Sequence, residues 1–400
     1  VVRGRAAHRG PGDYCGGLMK IVLPAADGTL QPYQISPPRG WPRPEGPPRS
    51  RVVYAAAHVV ADPLGDPAAP VPAVDWDSTL RVRRHLWAYG LRVAEAMDTA
   101  QRNMGLDWTA ARELAKRSAD AAKDFGDPAE LVAAGVGTDH APGAPDLDAI
   151  VTAYSQQLHA IRATEAGVVL MASRELAALA RGPEDYLKVY GAVLGQADRP
   201  VIVHWLGEMF DPALAGYWGS PDIWRAAETL LQLIRENIAK IDGVKVSLLD
   251  AQHEVALRTA LPAGVRLYTG DDFNYPSLIA SGSHALLGIF DAIAPAASTA
   301  LHALDEGDML SYEEILAPTV TLSRKIFEAP TYNYKTGLAF LSWLAGHQDA
   351  FVMIRGAQAA RSLPHLAEVF RLADSAGLLP DPDLSVRRMS ALLTQYGIPQ

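Results

Sequence analysis

One lysine lies inside a short apolar run, in the stretch Ile241 to Asp250 (IDGVKVSLLD). Alternate residues of a strand share a face, so Gly243, Lys245 and Ser247 point one way and Val244, Val246 and Leu248 the other. A charged lysine among β-branched neighbours is costly to bury. Desolvation lowers its pKa from about 10.4 toward the roughly 7–8 wanted of a catalytic amine, a shift of about three units or roughly 4 kcal/mol. A free amine of this kind attacks a carbonyl carbon and forms a Schiff base. The competing reading of the same pattern is an edge-strand lysine that snorkels to solvent.

Other polar residues close the apolar runs. His204 has the type for a general acid or base near neutral pH, or for a hydrogen-bonded loop histidine. Glu208 is a second candidate for proton transfer, against a plain surface glutamate. Arg174 suits a carboxylate or phosphate with its planar fork, or a structural pairing with a nearby acid. Asp98 and Thr99 are candidates for holding a polar substrate, with strand-end capping as the alternative for Thr99. Gly137 allows close approach of backbone to a ligand, or simply a turn. Asp271 is a further substrate-binding candidate, against a role with Asp272 in starting a loop or capping a helix. His58, Glu95, His204 and Asp271 form a conceivable divalent-metal set, although their spacing is no motif.

The elements that would position these groups follow from hydropathy. Eight short apolar runs occur at Val52 to Val59, Leu91 to Met97, Leu131 to Val136, Gly167 to Met171, Pro200 to Trp205, Gly243 to Leu249, Val265 to Thr269 and Ala285 to Phe290. Helical stripes lie between them, as in Leu147, Ile150, Val151, Tyr154, Leu158 and Ile161, and in Ala227, Leu230, Leu231, Ile234 and Ile238. Ser220-Pro221-Asp222 reads as the start of the second. This alternation predicts a (β/α)8 TIM barrel over residues 52–300. A doubly wound sheet is the alternative, but no G-x-G-x-x-G follows the first strand. Residues 301–400 read as a C-terminal helical extension, with candidate helices at Leu316 to Phe327, Thr336 to Leu344, Ala350 to Ala360 and Leu366 to Ala376. Residues 1–51 read as an N-terminal arm and a lead-in. Its Gln31 to Arg51 part is crowded with proline and cannot make regular helix. Val1 to Leu18 has no signal-peptide pattern and reads as a tag remnant, a mis-called start or a disordered arm, with Met19 as a natural start.

The chain has 400 residues and a net charge of −9, with no basic stripe, which speaks against a nucleic-acid partner. Cys15 is the only cysteine, so there is neither an internal disulfide nor a cysteine zinc cage. No apolar run reaches membrane-spanning length. No membrane partner and a cytoplasmic location are the expectations.

Four segments, taken together, resemble the dihydrodipicolinate synthase and N-acetylneuraminate lyase superfamily of Schiff-base aldolases. VDWDS (Val74 to Ser78) is similar to the segment opening the family's first helix, and RPVIVHW fits its fifth strand. GVKVSLLD resembles the G-[IV]-K-x-x-x-x-D strand, placing Lys245 on the Schiff-base lysine and Asp250 on the following aspartate. YTGDDFNYPSLIASGSHALLGIFDAIAP looks like the seventh and eighth strand unit. The resemblance implies a barrel, a soluble lyase and a homodimer or homotetramer.

The departures are as specific. The family's fifth strand ends in a proton-relaying tyrosine, where this chain carries His204, Trp205, Leu206 and Gly207. Its substrate-binding arginine has no counterpart beside Glu208 and Met209. The G-T-T-G-E carboxylate cradle of its second strand is replaced by Met97-Asp98-Thr99-Ala100-Gln101, in which only Thr99 matches. Ala172, Ser173, Arg174 and Glu175 replace the fourth strand's aromatic pair. A lysine-biosynthetic role is therefore not expected. The expectation is a lyase that breaks a carbon–carbon or carbon–oxygen bond in a keto acid or sugar-acid-like carbonyl substrate through Lys245, with no cofactor and no metal. A metal-dependent sugar isomerase, epimerase or aldolase on the same barrel is the first alternative, and a non-catalytic ligand sensor the second.

Overall fold

The computed structural model describes residues 19–400. The arm at Val1 to Leu18 lies outside the described residues. A hairpin comes first: β1 (Lys20–Pro24) pairs antiparallel with β2 (Leu30–Gln34), turning at Gly28, whose φ of +83° favours glycine. The lead-in therefore begins as strand, and only the part beyond Gln34 is irregular.

Eight parallel strands come next. They are β3 (Val53–Ala56), β4 (Arg92–Glu95), β5 (Val132–Val136), β6 (Gly167–Leu170), β7 (Val201–Leu206), β8 (Ile241–Ser247), β9 (Arg266–Thr269) and β10 (His284–Leu287). Each pairs with the next in chain order, and β10 returns to pair with β3, so the sheet closes into a barrel. Each falls on one of the eight apolar runs, so the TIM barrel expected from the sequence is the fold observed. The runs are apolar throughout because the outer face packs on helices while the inner face fills the lumen.

The helices between and after the strands are α1 (Trp76–Ala88), α2 (Trp108–Ala122), α3 (Pro128–Leu131), α4 (Leu147–Arg162), α5 (Arg174–Leu179), α6 (Pro183–Gln196), α7 (Ile223–Glu236), α8 (Ala251–Ala260), α9 (Tyr275–Ala280) and α10 (Phe290–Asp305). Short polar side chains start most of them. Asp75 accepts from Ser78 N, Asp107 from Ala110 N, Asp146 from Ala149 N and Asp222 from Trp224 N, at 2.8–3.0 Å. Asp250 does the same for α8, accepting from His253 N at 2.9 Å, so this aspartate is a cap.

Four more helices complete the chain: α11 (Met309–Ile326), α12 (Tyr334–Leu344), α13 (Leu363–Ser375) and α14 (Pro382–Gln395). They share one continuous core with the barrel's outer face. Two boundaries differ from expectation. Helix α10 runs through the division at residue 300, and Ala350 to Ala360 makes only 3-10 turns over Ile354–Ala360. There Arg355 and Gly356 adopt positive φ, and Arg355 donates to the carbonyl of Ala69 at 2.7 Å. Helix α14, unmarked by a strong apolar stripe, starts on the Asp381 cap with Pro382 at its first position. The hairpin docks on the end of α13, where Tyr33 Oη donates to Asp374 Oδ2 at 2.6 Å. No described helix is long and apolar enough to cross a membrane.

One ion pair ties the first helix to the barrel. Arg83 on α1 grips Glu95 on β4 through two bonds of 2.7 and 2.8 Å, both side chains being wholly buried. Removing one partner strands the other charge in a low-dielectric site, so Arg83→Ala is expected to destabilise the protein by about 3–5 kcal/mol. The double replacement Arg83→Met with Glu95→Met should recover much of that loss, as read from urea unfolding.

Candidate active site

The inner face of the barrel is lined low down by Tyr54, Ala94, Ala133, Val169, Ile202 and Tyr268. Lys245 stands on the same face, in register with His204 of β7 and Tyr268 of β9. Glycine makes room for it. A Cβ on Gly270 would sit 2.2 Å from Ser247 Oγ and 3.0 Å from Lys245 Cε, so only glycine lets the end of β9 pass so close. The Lys245 amine is buried, yet no hydrogen bond or ion pair holds it among the described residues. It is also not among the side-chain nitrogens sealed away from solvent. Burial pushes its pKa down, against the opposing pull of Asp98 and Asp272.

The groups around the amine have definite protonation states. His204 Nε2 lies 3.2 Å from Ser247 Oγ, and burial together with the nearby Lys245 holds the imidazole well below its usual range, hence neutral. Asp98 occupies a short 3-10 turn, Asp98–Ala100, after β4. Burial alone would raise it, but Lys335 above all and the hydroxyl of Tyr334 outweigh that and hold it below the usual carboxylate range. Asp272 goes the other way. Burial pushes it up to about 8, so it keeps its proton at neutral pH; Ile289 N donates to its Oδ1 at 2.8 Å. Two carboxyl groups driven apart in this manner are suited to different roles.

Three of these groups do not stand out in the sequence. Asp272 reads there only as part of a turn. Tyr334 and Lys335 come from the first turn of α12, in the C-terminal extension. Tyr334 Oη donates to Asp98 Oδ2 at 2.6 Å and lies 2.7 Å from Thr99 Oγ1, while its ring stacks on Phe327 with centroids 4.4 Å apart. A Cβ on Gly288 would meet both rings at 3.0–3.2 Å, so that glycine lets the pair lean over the barrel end. Burial lowers Lys335 to about 8, opposed by Asp98 and Asp211. Its nitrogen donates to the Tyr332 carbonyl at 3.1 Å. The available signal was a lysine inside a helix buried along its whole length, where an unpaired charge is rare.

A family model matches residues 21–398. The chain belongs to the family described as "Protein of unknown function (DUF993)". Among curated proteins no sequence match is found. Solved structures with the same fold include dihydrodipicolinate synthase from Bacillus clausii, at 14% identity and a TM-score of 0.63, covering 82% of this chain and 98% of that one. YagE, a prophage protein of the dihydrodipicolinic acid synthase family from E. coli K12 solved with pyruvate, gives 13% identity and a TM-score of 0.63, covering 82% and 99%. A putative dihydrodipicolinate synthetase from Pseudomonas aeruginosa gives 14% and 0.59, covering 80% and 99%. At these identities the likeness is one of fold, and at that level it agrees with the resemblance read from the residues.

Of the residues proposed from the sequence, this DUF993 protein brings Lys245, His204, Asp98 and Thr99 together. The others stand elsewhere. Glu208 is exposed, because the turn after β7 carries it outward, and it does not meet Lys245. Asp271 is engaged by its own loop, accepting from Phe273 N at 2.8 Å and Asn274 N at 2.9 Å. Gly137 donates to Gln157 Oε1 at 2.7 Å and makes room for Met171 rather than for a ligand. Arg174 is half-exposed and paired with Asp211 at 2.7 Å. The conceivable metal set is dispersed. His58 lies between Asp291 Oδ2 at 2.5 Å and Gln348 Oε1 at 2.8 Å, Glu95 is clamped by Arg83, and Asp271 serves its loop. Among the described residues no group of three or more His, Cys, Asp or Glu is placed to hold a metal.

The raised Asp272 has a thermodynamic consequence. A carboxyl whose folded pKa exceeds its unfolded value stabilises the fold at low pH and loses that contribution as pH rises through the folded value of about 8. Asp272→Asn should therefore gain stability relative to the parent between the ordinary carboxylate range and about pH 8, as read from thermal unfolding across pH. A difference that stays flat across this window would show that Asp272 is ionised when folded.

Proposed function

We propose that this protein is a Schiff-base-forming lyase of the class I aldolase type, in which Lys245 is the nucleophile. The reading is carried by one observation: an amine biased toward its free-base form, bound by no acid among the described residues, on the inner face of a closed barrel. The fold shared with dihydrodipicolinate synthases is consistent with it, but the chemistry is argued from the site.

The amine adds to a substrate carbonyl, and the carbinolamine loses its hydroxyl as water to give an iminium. Protonated Asp272 is suited to donate the proton that this departing hydroxyl needs. A carbon–carbon bond one carbon away then breaks. Its electron pair flows to the iminium nitrogen, leaving an enamine, while the hydroxyl on the departing carbon loses its proton and becomes a carbonyl. Neutral His204, beside Ser247, is the group suited to accept that proton. Protonation of the enamine carbon and addition of water return the free lysine and the second product. Elimination of water in place of carbon–carbon cleavage uses the same iminium.

Thr99, Asp98 and Tyr334 form the wall that orients the substrate. Helix α12 brings the Tyr334 hydroxyl to Asp98 and Thr99, where it fixes the wall in place. The substrate in this reading is a small keto acid or sugar-like carbonyl compound.

Borohydride reduction with a panel of 2-keto acids and keto sugars should fix one substrate-derived mass on the peptide carrying Lys245. Lys245→Met should leave that peptide unlabelled and turnover abolished. Labelling elsewhere, or activity surviving in Lys245→Met, would overturn the reading, and an adduct with no turnover across the panel would favour a ligand sensor. For His204→Asn the expected loss is about 10²–10⁴-fold in kcat with the Lys245 adduct still formed, measured by steady-state kinetics alongside trapping.

A further inference from the structure

The turn Asp98–Ala100 carries the acid that acts most strongly on Lys245. Its side chains present lone pairs rather than protons. Tyr334 has a single hydroxyl proton and gives it to Asp98 Oδ2 at 2.6 Å. The Thr99 hydroxyl, 2.7 Å from the Tyr334 oxygen, must then be the donor in that contact. Both hydroxyl protons are thus engaged within the wall. Asp98 Oδ1 has no partner among the described residues, and Asp98 is the one partly exposed residue between Val93 and Ala100. Among the side chains of this turn, what remains to meet a ligand is a carboxylate oxygen that needs a donor.

The cations nearby do not reverse this. Lys335 faces both Asp98 and Asp211 and donates to the Tyr332 carbonyl, and Arg174 is paired with Asp211. His204 is neutral, which adds no positive charge. A substrate carboxylate set against Asp98 would meet a like charge, whereas a hydroxyl there supplies the missing proton.

We infer that the substrate carries a hydroxyl on the carbon next to the attacked carbonyl, that is, an α-hydroxyketone of ketose type, with Asp98 accepting from that hydroxyl in the place where a 2-keto acid would need its carboxylate held. This rests on the Schiff-base reading and narrows it. Asp98 is on this view a specificity-determining residue that touches the substrate. A hydrogen bond to a charged acceptor of this kind corresponds to about 10- to 100-fold in affinity.

Hydroxyacetone and pyruvate make a matched pair of probes, both methyl ketones, differing only in a hydroxymethyl group against a carboxylate. The half-saturating concentration for borohydride-fixed adduct at Lys245 is measured for each by peptide mass mapping, with surface-lysine labelling correcting for intrinsic reactivity. Hydroxyacetone is expected to half-saturate at a concentration lower than pyruvate by about 10-fold or more. Asp98→Asn should still form adduct but bring the ratio close to one. The wild-type ratio alone decides: equal or tighter trapping of pyruvate overturns the inference while leaving the Schiff-base reading standing. If neither these probes nor any member of the panel forms adduct, the Schiff-base reading fails, and thermal-shift binding of 1,2-propanediol against L-lactate judges the Asp98 wall separately. Preference for lactate overturns it, and preference for the diol supports it.

Discussion

Placing an amine on the inner face of a closed barrel removes water from it without supplying a partner, and most of the surroundings of Lys245 obey that constraint. Register puts His204 and Tyr268 on the strands either side of Lys245, and no carboxylate makes an ion pair with its amine among the described residues. Desolvation disfavours the ammonium, and two more distant acids pull the other way. Had Asp98 or Asp272 closed to salt-bridge distance, the pull would dominate and the amine would stay charged. Instead Asp98 is occupied by Tyr334 and faces Lys335, and Asp272 keeps its own proton under the N–H of Ile289. The acids of the site are arranged so that neither neutralises the lysine.

The C-terminal helices belong to this arrangement. Helix α12 is buried along its length against the rest of the core, and its first turn delivers Tyr334 and Lys335 to the barrel end. Gly288 at the end of β10 gives the Tyr334 and Phe327 rings the space to reach there. Besides packing on the barrel's outer face, this segment shapes the electrostatics around Asp98. It holds Asp98 ionised and so sets the character of the wall facing Lys245.

The barrel was legible in the sequence because each of its strands is a short apolar run between polar breaks, and fully buried strands carry that signature regardless of alternation. Lys245 was legible for a related reason, since a cation inside such a run has few explanations. His204, Asp98 and Thr99 could be found because they end strands, where barrels keep their reactive groups. Glu208 and Asp271 also come just after strand ends, and nothing in the local sequence says that one turn points its side chain outward or that the other loop folds back on its own acid. A structural pairing of Arg174 was one of its two readings, but its partner, Asp211, could not be named because it lies in a different loop. Tyr334 and Lys335 were hidden for the same reason at greater range: their contact with Asp98 is tertiary, between distant parts of the chain. Helix α14 escaped because its apolar stripe is thin and its start is marked only by Asp381 and Pro382.

The lowered basicity of one nitrogen carries the proposed chemistry, and it can be measured without knowing the substrate. Reductive ¹³C-methylation of the lysines, followed by NMR titration with Lys245→Met as the assignment control, reports the protonation of each amine. The Lys245 resonance should titrate below the ordinary lysine value of about 10.4. A Lys245 resonance that titrates with the surface lysines, or above them, would mean that an acid holds the ammonium in place, and the proposed imine chemistry would be wrong.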